Sequence, residues 1–265
     1  MKYIIVISIL FSFKVNAQQN TGGRMGAMAE TGVVLADSWS INANQAGMRA
    51  IVKPVLSLAY QRNVFSTQVV TQSATFLLPK KAYTLGLSVS TYGFESYKVQ
   101  QIGLAMAKSF GPTLSAAMRF NYHQLQIPAY GKSSAYTADV GFLYQFSKRV
   151  GIGAHIQNVS NSSFTNTANF SPIPLLVDFG VSYKSTEQLL LVAALQQALN
   201  QTPQPKLGIE YQLIPALALR GGLSFNQLKQ FAGIGLKIKK MGFDWSINSQ
   251  NTVGAGSQIS LQYEF

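Results

Sequence analysis

The chain of 265 residues contains no cysteine. That removes disulfide staples, thiolate metal sites and thiol nucleophiles at once, and it leaves no residue after Ala17 to carry a lipoprotein anchor. Charge is scarce too: Asp, Glu, Lys and Arg make up 11% of the residues, against roughly 25% in soluble domains. A soluble β-sandwich, the competing all-β architecture, would need a denser charged exterior. Beyond the first residues there is no run approaching the roughly 20 apolar residues that cross hydrocarbon as a helix, which excludes a helical inner-membrane protein. The two histidines, His123 and His155, stand without a Gly-x-Ser-x-Gly motif or a cluster of metal-ligating side chains. Both therefore read as histidines bonded to a neighbour and not as general bases. Gly151-x-Gly153 falls within a strand pattern, which argues against a phosphate loop. No enzyme activity and no cofactor are expected.

What is present begins with an export signal. Met1-Lys2 is followed by the apolar run Tyr3 to Phe13 and then by Lys14-Val15-Asn16-Ala17, the basic, apolar and small-residue order of a secretory leader. Residues 1–17 are assigned to it, with cleavage after Ala17. The alternative, a membrane-spanning helix, would need nearly twice the available length. For an exported chain with so little charge, the remaining way to span a bilayer is a closed β-barrel.

The alternation of the chain supports that reading. The last eight residues place Ile259, Leu261, Tyr263 and Phe265 on one face of a strand and Gln258, Ser260, Gln262 and Glu264 on the other. In the same way Leu114, Ala116, Met118, Phe120 and Tyr122 oppose Ser115, Ala117, Arg119, Asn121 and His123. From residue 53 onward about 14 such segments follow one another, separated by turn signals. Taken alternately, the connections sort into tight ones, such as Gly111-Pro112 and Ile214-Pro215, and longer ones, chiefly Ile127 to Tyr136 and Asn158 to Ile173. Tight turns at one end and longer loops at the other are the habit of outer-membrane barrels. The expected fold is thus all-β, a transmembrane antiparallel barrel over residues 53–265.

Residues 18–52 do not alternate. Val33, Val34, Leu35, Trp39 and Met48 make them too apolar for a solvated tail, so they are expected to fold into the lumen as a hatch or plug. Arg24, Asp37, Trp39, Asn44 and Gly47 are its candidate functional residues. The inward positions of the barrel carry Arg119, His123, Asp139, His155, Asp178, Lys206, Glu210, Arg220, Asp244 and Glu264. Because an unpaired charge away from water is costly, these are expected to form a lumen network of ion pairs and hydrogen bonds, with Glu210 and Arg220 on neighbouring strands as its first pair. The formal net charge is +12. Many of the cations sit in tight turns, at Lys80, Lys81, Lys148, Arg149, Lys184 and Lys240, where they would meet lipid phosphates or an acidic periplasmic partner. Nucleic acid is not an expected partner.

The segment Gly22-Gly23-Arg24-Met25-Gly26-Ala27-Met28-Ala29-Glu30-Thr31-Gly32, followed by Asn44-Gln45-Ala46-Gly47-Met48, resembles the N-terminal hatch of the FadL/PorV-type outer-membrane barrels. Leu207-Gly208-Ile209-Glu210-Tyr211, Leu217-Ala218-Leu219-Arg220-Gly221-Gly222 and Phe231-Ala232-Gly233-Ile234-Gly235-Leu236 continue it in the PorV/PorQ-like branch. There are departures: Gln45 stands where the hatch has proline, Ala29 and Glu30 where glycines are common, and the chain is short. The resemblance implies a 14-stranded barrel in the cell outer membrane with a plugged lumen. It also implies outer-membrane lipid as surroundings and the barrel-assembly machinery as a partner of the C-terminal strand, through Tyr263 and Phe265. Two functions follow from it. One is an accessory or scaffold subunit of an envelope protein machine such as type IX secretion, with a membrane or periplasmic protein partner; the other is a FadL-like channel for hydrophobic small molecules. The polar lumen favours the first as an expectation, since a tunnel for acyl chains should be mostly apolar.

Overall fold

The structure, a computed structural model, describes residues 20–63, 69–128, 131–164, 173–226, 228–250 and 254–265. The signal assignment at residues 1–17 lies outside them. Fourteen antiparallel strands close into one barrel. They are β1 (Val55–Asn63), β2 (Val70–Pro79), β3 (Tyr83–Phe94), β4 (Tyr97–Phe110), β5 (Leu114–Ile127), β6 (Gly131–Gln145) and β7 (Val150–Gln157). The second half adds β8 (Leu176–Lys184), β9 (Leu189–Ala198), β10 (Gln204–Ile214), β11 (Leu217–Ser224), β12 (Lys229–Ile238), β13 (Met241–Gln250) and β14 (Gly254–Glu264). Each strand pairs with the next, and β1 closes on β14 with Val55 opposite Glu264 and Asn63 opposite Gly256. Closure leaves no edge with unpaired backbone groups, the condition for lying in hydrocarbon.

The two faces follow the period-two pattern. Leu58, Leu104, Phe120, Phe142, Ile209 and Ile259 are exposed on the outside, whereas their neighbours Arg119, Asn121, His123, Asp139 and Ser260 are buried inside. Aromatic side chains stand on the outer surface toward both ends, Tyr83, Phe110, Tyr144, Tyr183 and Tyr263 near the tight turns and Tyr60, Phe94 and Tyr136 near the other rim. Amphipathic rings at two levels suit the two interfaces of a bilayer. Among the described residues no helix is long and apolar enough to cross a membrane.

One expectation needs correction. Ile127 to Tyr136 was expected as a long loop, but β5 runs to Ile127 and β6 already begins at Gly131. Gly131 has φ +83°, a turn conformation open to glycine, and Lys132, Ser133 and Ser134 then pair with Gln126, Leu125 and Gln124. Their polarity reflects a hairpin rising beyond the apolar belt. The wall is consequently uneven: β4, β5 and β6 have 14, 14 and 15 residues, whereas β7 and β11 have 8 each.

Residues 20–50 fill the lumen with a short helix α1 (Gly22–Ala27) and three 3-10 turns at Gly32–Val34, Ser40–Asn42 and Gln45–Ala50. The hydrophobic core lies here, between this segment and the wall. Met25, Met28, Val33, Val34, Leu35 and Trp39 form one cluster, and Ile41, Ala46 and Met48 pack with Leu77, Ala105, Ala107 and Ala117 of the wall in a second. The fit depends on bare backbone in the strands: a Cβ at Gly153 would land on the Val33 carbonyl, and one at Gly222 would meet the Ala29 nitrogen at 2.5 Å. The closing strand holds the start of the segment directly. Gln258 Nε2 donates to Asn20 Oδ1 at 2.6 Å, Gly23 N to Ser260 Oγ at 2.9 Å, and Ser38 Oγ to Gln262 Oε1 at 2.9 Å.

Candidate functional site

The candidate site is the occluded lumen, built from the segment inward of the strands and the wall it touches. On the β10–β13 side the two are joined by charge. The Arg24 guanidinium forks onto Glu210, Nε to Oε2 at 2.8 Å and Nη2 to Oε1 at 2.7 Å, while Nη1 reaches Asp37 Oδ2 at 3.3 Å. Arg220 Nε donates to Glu210 Oε2 at 2.6 Å and its Nη1 to Asp244 Oδ1 at 2.5 Å. The result is an alternating row, Asp37, Arg24, Glu210, Arg220, Asp244. Its positions follow from register: Glu210 lies opposite Arg220 across β10 and β11, Arg220 opposite Gly233, and Gly235 opposite Asp244. The missing side chain at Gly235 leaves the space that the Arg220 guanidinium occupies.

Within the segment, burial works against the Arg24 charge, but Glu210 and Asp37 overcome it and hold the guanidinium above its ordinary pKa. Asp37 has the opposite balance. Burial raises its carboxyl above the usual carboxylate range despite the pull of Arg24 and a bond from Trp39 N. Two-pronged Arg–carboxylate pairs are among the strongest hydrogen bonds available to side chains. Glu210, shared by two guanidiniums, is the keystone of the row.

On the β4–β7 side the segment is held mainly by neutral groups and backbone. Asn44 accepts a bond from Ala46 N at 3.1 Å, capping the turn after it. Its Nδ2 donates to the carbonyls of Val33 at 2.7 Å and Phe142 at 2.8 Å. Gln45 Nε2 lies 3.3 Å from His155 Nε2, whose other ring nitrogen is 3.4 Å from Asp178 Oδ2. Arg119 Nη1 donates to the Ile41 carbonyl at 3.0 Å and Nη2 to Ser88 Oγ at 2.8 Å; Asp139 stands 4.0 Å from it. Asp139 itself accepts from Asn121 Nδ2 at 2.8 Å and Asn158 N at 2.9 Å, and His123 Nε2 sits 2.9 Å from Thr137 Oγ1.

The lumen residues singled out in the sequence thus fall into three groups: Glu210, Arg220 and Asp244; Arg119, His123 and Asp139; His155 and Asp178. Glu264 stands at the turn-side mouth, 3.2 Å from Lys237. In the segment Arg24 and Asp37 join the first group, Trp39 is buried against Gly22, and Gly47 packs on the Leu35 carbonyl. Sequence reasoning missed the Arg24–Glu210 fork and the Lys206–Glu30 pair at 3.5 Å. It also passed over Asn44 as a helix cap, although an Asn before Gln-Ala-Gly-Met carries that signal. Tyr263 and Phe265 point outward, their rings edge-on at 5.1 Å, and Phe265 N bonds the Pro54 carbonyl at 3.0 Å.

Two cavities flank the segment. One, of about 200 Å³, lies toward the long connections and is lined by Glu30, Asn42, His155, Asp178, Gln196 and Lys206 among others. The other, of about 260 Å³, lies toward the tight turns beside Arg24, Asp37, Arg220 and Gln262. Among the described residues no grouping of three or more metal-ligating His, Asp or Glu side chains occurs.

No family model matches this chain, and neither does any curated protein. Solved structures do. The Ralstonia pickettii toluene transporter TbuX shares 14% identity at a TM-score of 0.69, over 95% of this chain and 100% of that one. The CymD monoaromatic hydrocarbon channel shares 12% at 0.76, over 92% and 97%. A Pseudomonas aeruginosa FadL homologue shares 11% at 0.64, over 92% and 98%. The fold is therefore the FadL-type barrel, and the matched spans are wider than the strands alone.

Proposed function

We propose that this chain is a non-enzymatic outer-membrane channel for small molecules, with residues 20–50 as the hatch that closes it. The observation that carries the reading is one cavity on each face of an inserted segment, inside a barrel that matches known transporters along nearly its whole length. Its structural neighbours include a toluene transporter and a monoaromatic hydrocarbon channel, which supports the channel alternative over the type IX accessory subunit. The polar lumen, taken in the sequence as a sign of the accessory role, has another use here: Glu210, held in place by Arg220 and through it Asp244, grips Arg24 of the hatch. Outer-membrane lipid is the proposed environment, and the outward Tyr263 and Phe265 at the end of β14 are the proposed handle for barrel assembly.

Solute flux in proteoliposomes tests this. The wild-type barrel should pass small solutes slowly, and a variant with the hatch clamp cut, Glu210→Gln, should pass them faster. If both are impermeable while gently extracted protein carries a stoichiometric protein partner, the accessory reading replaces this one.

A further inference from the structure

The cavity on the long-connection side is unlike a hydrocarbon pocket. Sites for apolar ligands are walled mostly by aliphatic and aromatic side chains with a few polar groups. Among the described residues the polar and charged linings outnumber the apolar ones, and none of them is Phe, Tyr or Trp. The apolar contribution comes from Val33, Ala43, Pro174, Leu176, Ala194 and Ala198, aliphatic groups of small to moderate size. A toluene-sized ring would lie against amides and ions, removing their water and returning no hydrogen bond.

The charges of this cavity are balanced and already organised. Lys206, 4% exposed, reaches Glu30 at 3.5 Å and Gln196 Oε1 at 3.2 Å. Gln196 donates in turn to Asp178 Oδ1 at 2.8 Å, and Asp178 faces His155 at 3.4 Å. Lys229 lies on the same lining, so two lysines and two carboxylates share it, with Lys206 beside Glu30 and His155 beside Asp178. An anion or a cation entering alone would compete for one member of these pairs and leave its partner uncompensated. A solute without net charge that offers both donors and acceptors meets complementary groups wherever it turns.

We infer that this cavity binds small, net-neutral polar solutes, of amide, hydroxyl or zwitterion chemistry, in place of the hydrocarbons carried by its structural neighbours. The inference rests on the channel reading for its biological meaning, but binding can be measured apart from flux. Equilibrium dialysis of the full barrel in detergent, with L-glutamine, glucose and toluene as probes, reads the site. Proteoliposome flux of the same three reads the conduit.

Retention of glutamine or glucose over toluene by about tenfold or more is the expected result, since a site that hydrogen-bonds its ligand rejects analogues lacking those groups. The preference should fall about tenfold in Gln196→Leu. Lys206→Met removes a buried cation from beside Glu30 and Gln196 and is liable to misfold, so Gln204→Leu, at another lining position, is the second variant, with heat-modifiable gel mobility confirming a folded barrel. Preferential binding of toluene overturns the inference, and so does binding of none of the three at millimolar concentration. Polar binding without flux, even in Glu210→Gln, leaves the cavity assignment standing and sinks the channel reading instead.

Discussion

The two sides of the barrel hold the same segment by different physics. Toward β10–β13 the contact is a row of five alternating charges from Asp37 to Asp244. Toward β4–β7 it is the Asn44 amide on the Phe142 and Ala154 carbonyls, the Ile41 carbonyl on Arg119, and close packing. A buried ion row is strong when complete and fragile when cut, because removing one member leaves its neighbours desolvated and unpaired. Amide contacts lose about one bond at a time. The charged side is thus suited to letting go as a unit, and the amide side to serving as the fixed edge.

The change that breaks this contrast most forcefully is Glu210→Gln, which leaves two guanidiniums with one shared acceptor fewer. A loss of about 3–5 kcal/mol is expected in denaturant unfolding, together with proteolytic exposure of the segment near Arg24. An effect no larger than that of Asn44→Ala would mean the two sides are held alike. Asn44→Ala comes next, at about 1–3 kcal/mol, since it removes a cap and leaves carbonyls unpaired. Gly153→Ala should cost about 1–3 kcal/mol by driving a methyl into the Val33 carbonyl; a structure of this variant should show the segment displaced from β7, and an unmoved Val33 would count against the close fit.

The smallest effect should come from Asp37→Asn, at under about 1 kcal/mol. Asp37 keeps a raised carboxyl pKa because burial outweighs Arg24. For a group raised in the folded state, the contribution to stability is full below the unfolded pKa and is lost as pH rises through the folded one. Wild-type stability should therefore fall slightly as pH rises just above the ordinary carboxylate range, and Asp37→Asn should flatten that slope. A shallower acid loss in the variant than in the wild type would instead show the ionised Asp37 to be a net stabilising partner of Arg24.

Much of the wall was legible because strand alternation is local. β5, read from Leu114, and β14, read from the last eight residues, need only the period of two and a turn at each end. β6 was cut short for the same reason: Gly131-Lys132-Ser133 looks like a turn when its pairing with Gln126 and Leu125 cannot be seen. Glu210 and Arg220 could be paired because they sit on neighbouring strands across a tight turn. Arg24 could not be assigned to Glu210, 186 residues away, because nothing in either local pattern refers to the other. The wall glycines carried no readable purpose either. Gly153 and Gly222 alternate correctly as inward residues, but only the path of the inserted segment shows that a side chain there would collide.

The bonds from Gln258, Ser260 and Gln262 to the first part of the inserted segment give the last strand two tasks. Until β14 is in place, the earliest residues lack a docking ledge and the sheet lacks its seam. A ribosome product cut short before Gln258 would therefore lose the ring's seam and unfasten the stopper's leading end together, while the anchors at Glu210 and Arg119 stay on strands that remain.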